Sequence, residues 1–188
     1  AAFKKISNAE KVIVRVVPNR GRDVAPFLAG FGDLLPDYDF VAHIHSKKSL
    51  YSGAEQFNWR KYLFNALLGN SKRVKKIFKA FADNENVGVI YPRPAPNVPY
   101  AAFNWLSNRE VGRELLSRAD IAPNKTDYFD FPAGTMFWAR TQALQKFFSL
   151  NLTFEDFPPE RKQNDGTLAH AFERSVLLAT RSAGMDYY

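Results

Sequence analysis

The sequence predicts an α/β domain in which a mainly parallel β-sheet is flanked by helices, with residues 1–188 forming one such domain. Short runs of β-branched residues alternate along the chain with longer stretches of helical periodicity. The first of these runs and stretches have the order and lengths of a βαβ unit. A chain of 188 residues that is 46% hydrophobic and 15% aromatic can also fill a substantial core.

The first unit begins with a strand at residues 12–17, which the apolar run VIVRVV indicates. Asp23 is then placed to cap a helix over residues 24–35, whose first turn contains Pro26. A second strand is predicted at residues 38–45. The two strands of a βαβ unit are parallel, so the loops that follow them would lie at the same edge of the sheet.

The remaining chain continues the alternation of strands and helices. Strands are predicted at residues 87–91 and 135–139, and helices at 59–68, Ser71–Asp83, 101–106, 110–119, 141–150 and 163–184. Residues 92–99 include four prolines and are predicted to form a stiff, extended loop.

Polar and basic side chains are concentrated in the two loops that the βαβ unit would place at one edge. Ligands of open α/β sheets bind beyond the carboxyl ends of the strands. Arginine forks, lysine ammonium groups and the free N–H groups of a helix start all favour anions, so this edge is predicted to bind a phosphate or diphosphate. The assigned residues are Asn19, Arg20, Arg22, Asp23, His43, His45, Lys47, Lys48 and Ser49. A capped helix beside a solvated lysine turn is the alternative interpretation.

Two further binding candidates, Trp59 and Arg60, lie in the first turn of the predicted helix 59–68 and would face the lysine loop. The Trp59 ring is suited to stack on a sugar or a base. Large aromatic side chains also fill cores, so a packing role for Trp59 is the alternative.

Asp165 and Glu173 are the candidate catalytic carboxylates. In the predicted helix 163–184 they would lie along one face, two turns apart. A carboxylate near a bound diphosphate could remove the proton of an attacking hydroxyl. The structural alternatives are an N-cap for Asp165 and an ion pair with Arg174 or Arg181 for Glu173.

No aspartate pair stands at a strand end where it could hold a metal against a diphosphate. Asp37 and Asp39 form a D-x-D pattern, but at the start of the predicted second strand and so at the opposite edge. His43 and His45 have no evident third metal ligand, and a core or hydrogen-bonding role suits them better. The sequence therefore predicts no metal and no cofactor, with fixed cations neutralising the anion.

Four strings resemble the signature blocks of the rhamnan synthesis F family of bacterial polysaccharide-assembly proteins: NRGRDVAPFL, YDFVAHIHSKKS, FPAGTMFWAR and QNDGTLAHAFER. They occur in that family's order, and the resemblance extends from about Val12 to Gly184. It implies a glycosyltransferase-type domain that transfers a deoxyhexose, with rhamnose as the expected sugar, from a nucleotide sugar to a growing cell-surface polysaccharide. A non-catalytic glycan-binding or scaffold module of an assembly protein is the alternative.

The resemblance also implies a nucleotide-diphospho-sugar transferase (GT-A-like) arrangement. Such domains open with strands that are not visible in this sequence, so the chain is expected to be a fragment of a larger protein. By the same resemblance Gly134 and Thr135 would line the acceptor side, where small residues let a ligand approach the backbone. The implied partners are a nucleotide-sugar donor and a lipid-linked or polymeric glycan acceptor.

The net charge of +7 and the pI near 9.6 are consistent with a phosphate-bearing substrate or an anionic membrane surface. Basic residues of the predicted helix Ser71–Asp83 would form a solvated face or a peripheral contact with anionic lipid. Nucleic-acid binding is not expected, because the aromatic and arginine motifs of known modules are missing. Without a membrane-spanning run or a signal peptide pattern, the expected location is the cytoplasm, at the inner face of the plasma membrane.

Overall fold

The computed structural model describes residues 10–46, 53–95, 98–161, 163 and 165–188. Within these ranges the helices are α1 (Gly53–Leu67), α2 (Ser71–Asp83), α3 (Arg109–Arg118), α4 (Gln145–Phe148) and α5 (Leu168–Ser182). The strands are β1 (Phe40–His43), β2 (Val87–Ile90), β3 (Phe137–Arg140) and β4 (Asp186–Tyr187). Short 3₁₀ turns span Leu35–Asp37, Tyr100–Ala102, Leu106–Asn108, Thr141–Leu144 and Phe154–Asp156.

The four strands form one mixed sheet in the order β1-β3-β2-β4. Strand β3 is antiparallel to both of its neighbours, with Phe40 opposite Arg140 and Val89 opposite Ala139. Only the pairing of β2 with β4 is parallel. The prediction of a mainly parallel, GT-A-like sheet is therefore wrong.

The cause of this error is the predicted strand at residues 12–17, which pairs with no described strand. Val14 and Val16 are 69% and 99% exposed. The segment is attached through Arg15, whose guanidinium contacts Asp33 and donates to the carbonyl of Gly30, both at 2.6 Å. A β-branched run shows that strand conformation is favourable, but the run does not specify a partner. The predicted βαβ unit is therefore not found among the described residues, and β1 pairs instead with β3.

Helices cover both faces of the sheet. On one face Val89 and Phe137 belong to the largest apolar cluster, which also contains Leu115 of α3 and Phe172 of α5. On the other face Trp138 packs against residues of α1 and α2 in two smaller clusters. At roughly 25 cal/mol per Å² of apolar surface removed from water, these contacts hold the layers together.

Several predicted helices are shorter than expected. In place of the predicted helix 24–35, the structure has a π-helical turn at Pro26–Gly30 and a separate 3₁₀ turn at Leu35–Asp37. The predicted helix 163–184 begins only at Leu168, after Gly166 has adopted a φ of +76°. This left-handed conformation interrupts a right-handed helix, so the preceding residues form a turn.

Helix α2 keeps its predicted bounds. The side chain of Asn70 accepts a hydrogen bond from the Arg73 amide at 3.1 Å and caps its first turn. Ile77 and Phe81 are buried on the inner face, while the basic residues point outward. Among the described residues, no helix combines the length and the apolarity that crossing a bilayer would require.

Candidate functional site

The candidate site lies at the edge where β1 ends and β3 begins. Antiparallel pairing places His43 opposite Phe137, so the chain after β1 runs beside the turn that precedes β3. That turn contains Gly134 and Thr135, with φ values of +94° and +55°. Most non-glycine residues avoid positive φ, and such conformations are often found at functional sites.

Asp23 lies at this edge between two histidines. Its Oδ2 atom is 3.8 Å from His43 Nε2 and 3.5 Å from His45 Nε2. Oδ2 is buried and has no hydrogen-bond partner in the described part of the chain. The Asp23 side chain as a whole is 16% exposed. Oδ2 therefore lies on the buried side next to the histidines, while part of the side chain reaches solvent.

The His43 ring is held between two backbone carbonyl groups. Its Nδ1 atom is 2.6 Å from the carbonyl oxygen of Thr135, which can only accept, so Nδ1 carries the proton. Burial lowers the pKa of His43, although the charge of Asp23 acts in the opposite direction. His43 Nε2 lies 3.3 Å from the carbonyl oxygen of Asp23. The ring is thus fixed in orientation beside the Asp23 carboxylate.

Gly134 connects His45 to helix α5. Its carbonyl oxygen accepts a hydrogen bond from His45 Nε2 at 2.8 Å, and its amide donates to Glu173 Oε1 at 2.6 Å. A side chain at this position would collide with Leu63, since an added Cβ would lie 2.8 Å from its Cδ1. Glycine is therefore required for this packing.

The two predicted catalytic carboxylates are hydrogen-bonded and share one cation. Asp165 accepts hydrogen bonds from Ser107 Oγ at 2.8 Å and Asn108 Nδ2 at 2.5 Å. Arg174 Nη1 lies 3.6 Å from both Asp165 and Glu173, so the predicted ion pair of Glu173 is present. Their catalytic roles stay predictions, but the available lone pairs on both groups are largely engaged.

The environment of Asp165 favours its charged form. Burial raises the pKa of Asp165, but the hydrogen bond from Asn108 and the charge of Arg174 outweigh burial, and the net pKa is lowered. The N-cap of α5 is Thr167, so the N-cap interpretation of Asp165 is wrong.

The two predicted arginines differ in exposure. Arg20 is half-buried and donates from Nε to the carbonyl oxygen of Phe157 at 2.8 Å. Arg22 is exposed, has a φ of +56°, and donates from its side chain to the carbonyl of Gln163. Its amide donates to Glu160 at 3.1 Å. Arg22 is thus the described cation of this loop that a ligand could reach most directly.

The remaining predicted residues surround this edge or fall outside the described residues. Trp59 packs beside Leu63 and Met136, and its ring lies 3.4 Å from the position of an added Gly134 Cβ. Arg60 Nη1 donates to the Ser46 carbonyl at 3.3 Å. Asn19 is exposed near Arg20. Lys47, Lys48 and Ser49 lie outside the described residues.

The sequence analysis did not select His170. Its Nδ1 atom is 2.8 Å from Thr167 Oγ1, and its buried Nε2 atom has no hydrogen-bond partner among the described residues. Burial, reinforced by the nearby charge of Arg22, lowers the pKa of His170 to about 4, while Asp165 and Asp23 oppose the shift. All three histidines of the chain are therefore close to Asp23.

We expect His170 to make the protein less stable in mild acid. Since its pKa is about 4 in the fold and about 6.5 in an unfolded chain, the unfolded state binds more protons between these values. The free energy of unfolding should fall by about 3 kcal/mol as the pH decreases through this window. Urea titrations at pH 7.5, 6 and 5 would measure this slope. His170→Gln should reduce the pH dependence of the free energy of unfolding to the part that His43 contributes. An unchanged pH dependence would contradict its assignment to His170.

No group of three or more described histidine, aspartate or glutamate side chains is arranged to hold a metal ion. Trp59 and Trp138, which a glycan-binding module would expose, are partly buried, and Trp138 donates from Nε1 to the Leu67 carbonyl at 3.1 Å. The described edge instead combines the partly exposed Asp23 side chain, the exposed Arg22 and histidine side chains. Such a set can bind an anion and accept a proton from a hydroxyl.

Comparisons with known proteins agree with the resemblance of the four strings. A family model described as rhamnan synthesis protein F matches residues 2–185. Two curated proteins from Xanthomonas campestris pv. campestris, strains B100 and ATCC 33913, both named "Uncharacterized protein WxcX", are each 35% identical over 167 residues. The match covers 88% of this chain but only 23% of each relative, so the chain spans about a quarter of their length. No solved structure matches the chain significantly.

Proposed function

Because the chain belongs to the rhamnan synthesis protein F family, and so to polysaccharide biosynthesis, we propose that it transfers a deoxyhexose from a nucleotide sugar to a growing cell-surface glycan. Rhamnose is the proposed sugar. The observation that carries the proposal is the position of Asp23, a partly exposed carboxylate backed by two histidines and adjacent in sequence to the exposed Arg22.

In the proposed reaction the acceptor hydroxyl loses its proton to the Asp23 carboxylate. The acceptor oxygen forms a bond to the anomeric carbon, and the bond from that carbon to the diphosphate oxygen breaks. The nucleoside diphosphate leaves with the electron pair, next to Arg22 and Arg60. Lys47 and Lys48 keep their predicted role at the diphosphate. Asp23 is preferred to Asp165 as the base because Asp165 is engaged by Ser107 and Asn108.

The polypeptide holds the other groups of the reaction in position. His45 and Glu173 fix the buried Gly134 turn from two sides, which holds His45 beside Asp23. The proposed acceptor is a lipid-linked or polymeric glycan, and α2 could approach an anionic membrane from the cytoplasmic side with its outward basic residues. The activity, substrates and partners are proposed for this domain and not for the longer relatives.

Donor binding tests the proposal through Arg22. Titration calorimetry with a panel of dTDP-, UDP- and GDP-linked deoxyhexoses should show binding of at least one donor. Arg22→Gln should weaken that binding roughly tenfold, because charge-assisted hydrogen bonds to phosphate are lost.

Lys79→Gln is the matched control, since Lys79 is an exposed cation of α2 that pairs with Asp83 on the other side of the sheet. Its donor affinity should equal that of the parent protein. The absence of donor binding, or an equal loss in the two variants, would contradict the proposal. Binding of a glycan without any donor would favour the scaffold alternative.

A further inference from the structure

A second concave surface lies between α1, α2 and the end of β2. It is an open groove of about 470 Å³. Its floor is apolar, with Leu67 and Ile77 buried and Ile90 partly buried. Tyrosines and basic side chains form its walls, and none of the polar groups of the Asp23 site lines it.

The side chains that line this groove carry a net positive charge. Arg73 and Lys76 of α2 line it together with Arg93, and none of its lining residues is acidic. These three side chains form no ion pair with any residue in the described part of the chain, whereas Lys79 of the same helix pairs with Asp83 at 2.7 Å. Three cations around one concavity without carboxylates favour an anionic ligand.

The aromatic lining favours a ligand with rings and hydroxyl groups. Tyr188 is 63% exposed, while its backbone is fixed by hydrogen bonds with Val89 at 3.0 Å and Tyr91 at 2.9 Å. Tyr62 donates its hydroxyl to the Arg93 carbonyl at 3.0 Å and so fixes the start of the proline-containing loop. Tyrosines offer an apolar face and a polar tip, which suits sugar rings.

The groove lies at the end of β2, at the same edge of the sheet as the Asp23 site. Strands β1 and β2 are both antiparallel to β3, so their carboxyl ends lie at one edge. Tyr62 and Trp59 are three residues apart on α1 and are therefore neighbours on its surface. Trp59 lies next to Gly134, and Tyr62 lines the groove. A chain of sugars could thus extend from one surface to the other.

We propose that this groove binds a phosphate-bearing saccharide, which is the phosphate-linked part of the acceptor glycan. Arg73, Lys76 and Arg93 contact the phosphate, and the tyrosines contact the sugar rings. The assignment as acceptor rests on the proposed function, whereas the chemistry of the ligand rests on the lining of the groove alone.

The test uses titration calorimetry of the full chain with a disaccharide 1-phosphate. The double variant Arg73→Ala/Lys76→Ala should weaken binding at least tenfold, and Tyr188→Ala should weaken binding of the same disaccharide with or without its phosphate. The matched control is Lys72→Ala/Lys75→Ala, which removes the same charge from exposed positions of α2 outside the groove. This control should bind as the parent does. Equal weakening in both double variants would overturn the proposal.

Two further binding measurements distinguish the proposed saccharide phosphate from other anionic ligands. Inorganic phosphate that binds as tightly as the disaccharide phosphate would overturn the saccharide part of the proposal. Binding to phosphatidylglycerol vesicles without binding of the disaccharide phosphate would assign the surface to a membrane and overturn the proposal as well.

Donor titrations on the same samples separate the two proposals. The groove variants should bind the nucleotide sugar as the parent does. If no donor binds while the disaccharide phosphate does, the proposed transferase function fails and the groove retains its ligand. If only the donor binds, the groove assignment fails.

Discussion

Replacing Asp23 with asparagine should lower the rate of sugar transfer at least about 100-fold, because asparagine keeps the shape of the side chain but cannot accept the proton of the acceptor hydroxyl. Donor binding should change much less, since the proposed contact of Asp23 is with the acceptor. Steady-state kinetics with a nucleotide sugar and an oligosaccharide acceptor would measure kcat, and calorimetry would measure the donor Kd.

The matched comparison for this experiment is Asp165→Asn, because the sequence alone predicts Asp165 as the base. We expect Asp165→Asn to reduce stability, since it leaves Arg174 without one of its two carboxylate partners. The fraction of the Asp165→Asn protein that folds should still transfer sugar. If folded Asp165→Asn protein is inactive and Asp23→Asn protein is active, the roles of the two carboxylates must be exchanged.

Replacing Gly21 with alanine should destabilise the fold by about 3–5 kcal/mol. The residue has a φ of +62°, which alanine adopts only with strain, and an added Cβ would lie 2.5 Å from both Ala25 Cβ and a Phe157 ring carbon. Phe157 is completely buried and cannot move aside without opening a cavity. Urea unfolding followed by circular dichroism would measure the change.

Gly184→Ala separates the two causes of this loss. Gly184 has a similar φ of +74°, but nothing lies within 4 Å of an added Cβ. Its replacement should cost only about 1 kcal/mol, from backbone strain alone. Equal losses at the two positions would show that the collision with Phe157 contributes nothing.

The sequence correctly predicted that Asp23 and His45 lie close together, although the predicted topology is wrong. His45 and Asp23 do lie together, because β1 ends where predicted within two residues and the loop before residue 24 folds back to it. Gly134 lies beside them because the following strand, β3, pairs antiparallel with β1. The hydrophobic periodicity of the sequence could not identify this pairing. A pattern of alternating residues indicates a strand, but the direction and identity of its partner depend on contacts between distant segments.

Local sequence patterns could not predict the environment of Asp165, for the same reason. Its position before a helix suggests an N-cap, yet its partners are Ser107 and Asn108, which are 58 and 57 residues away in sequence. His170 is a similar case. On α5 it occupies an ordinary apolar position, and only packing reveals that Arg22 and Asp23 lie close enough to affect its protonation.

The hydrogen bonds of Gly134 have a mechanical consequence. Its peptide groups are held at one end by an imidazole and at the other by a carboxylate on α5, and its own lack of a side chain lets Trp59 and Leu63 close over it. A small rotation of α5 would therefore be transmitted as a reorientation of the His45 ring. In this way helix α5, most of whose residues are buried, controls the orientation of the partly buried His45 side chain through the Gly134 turn.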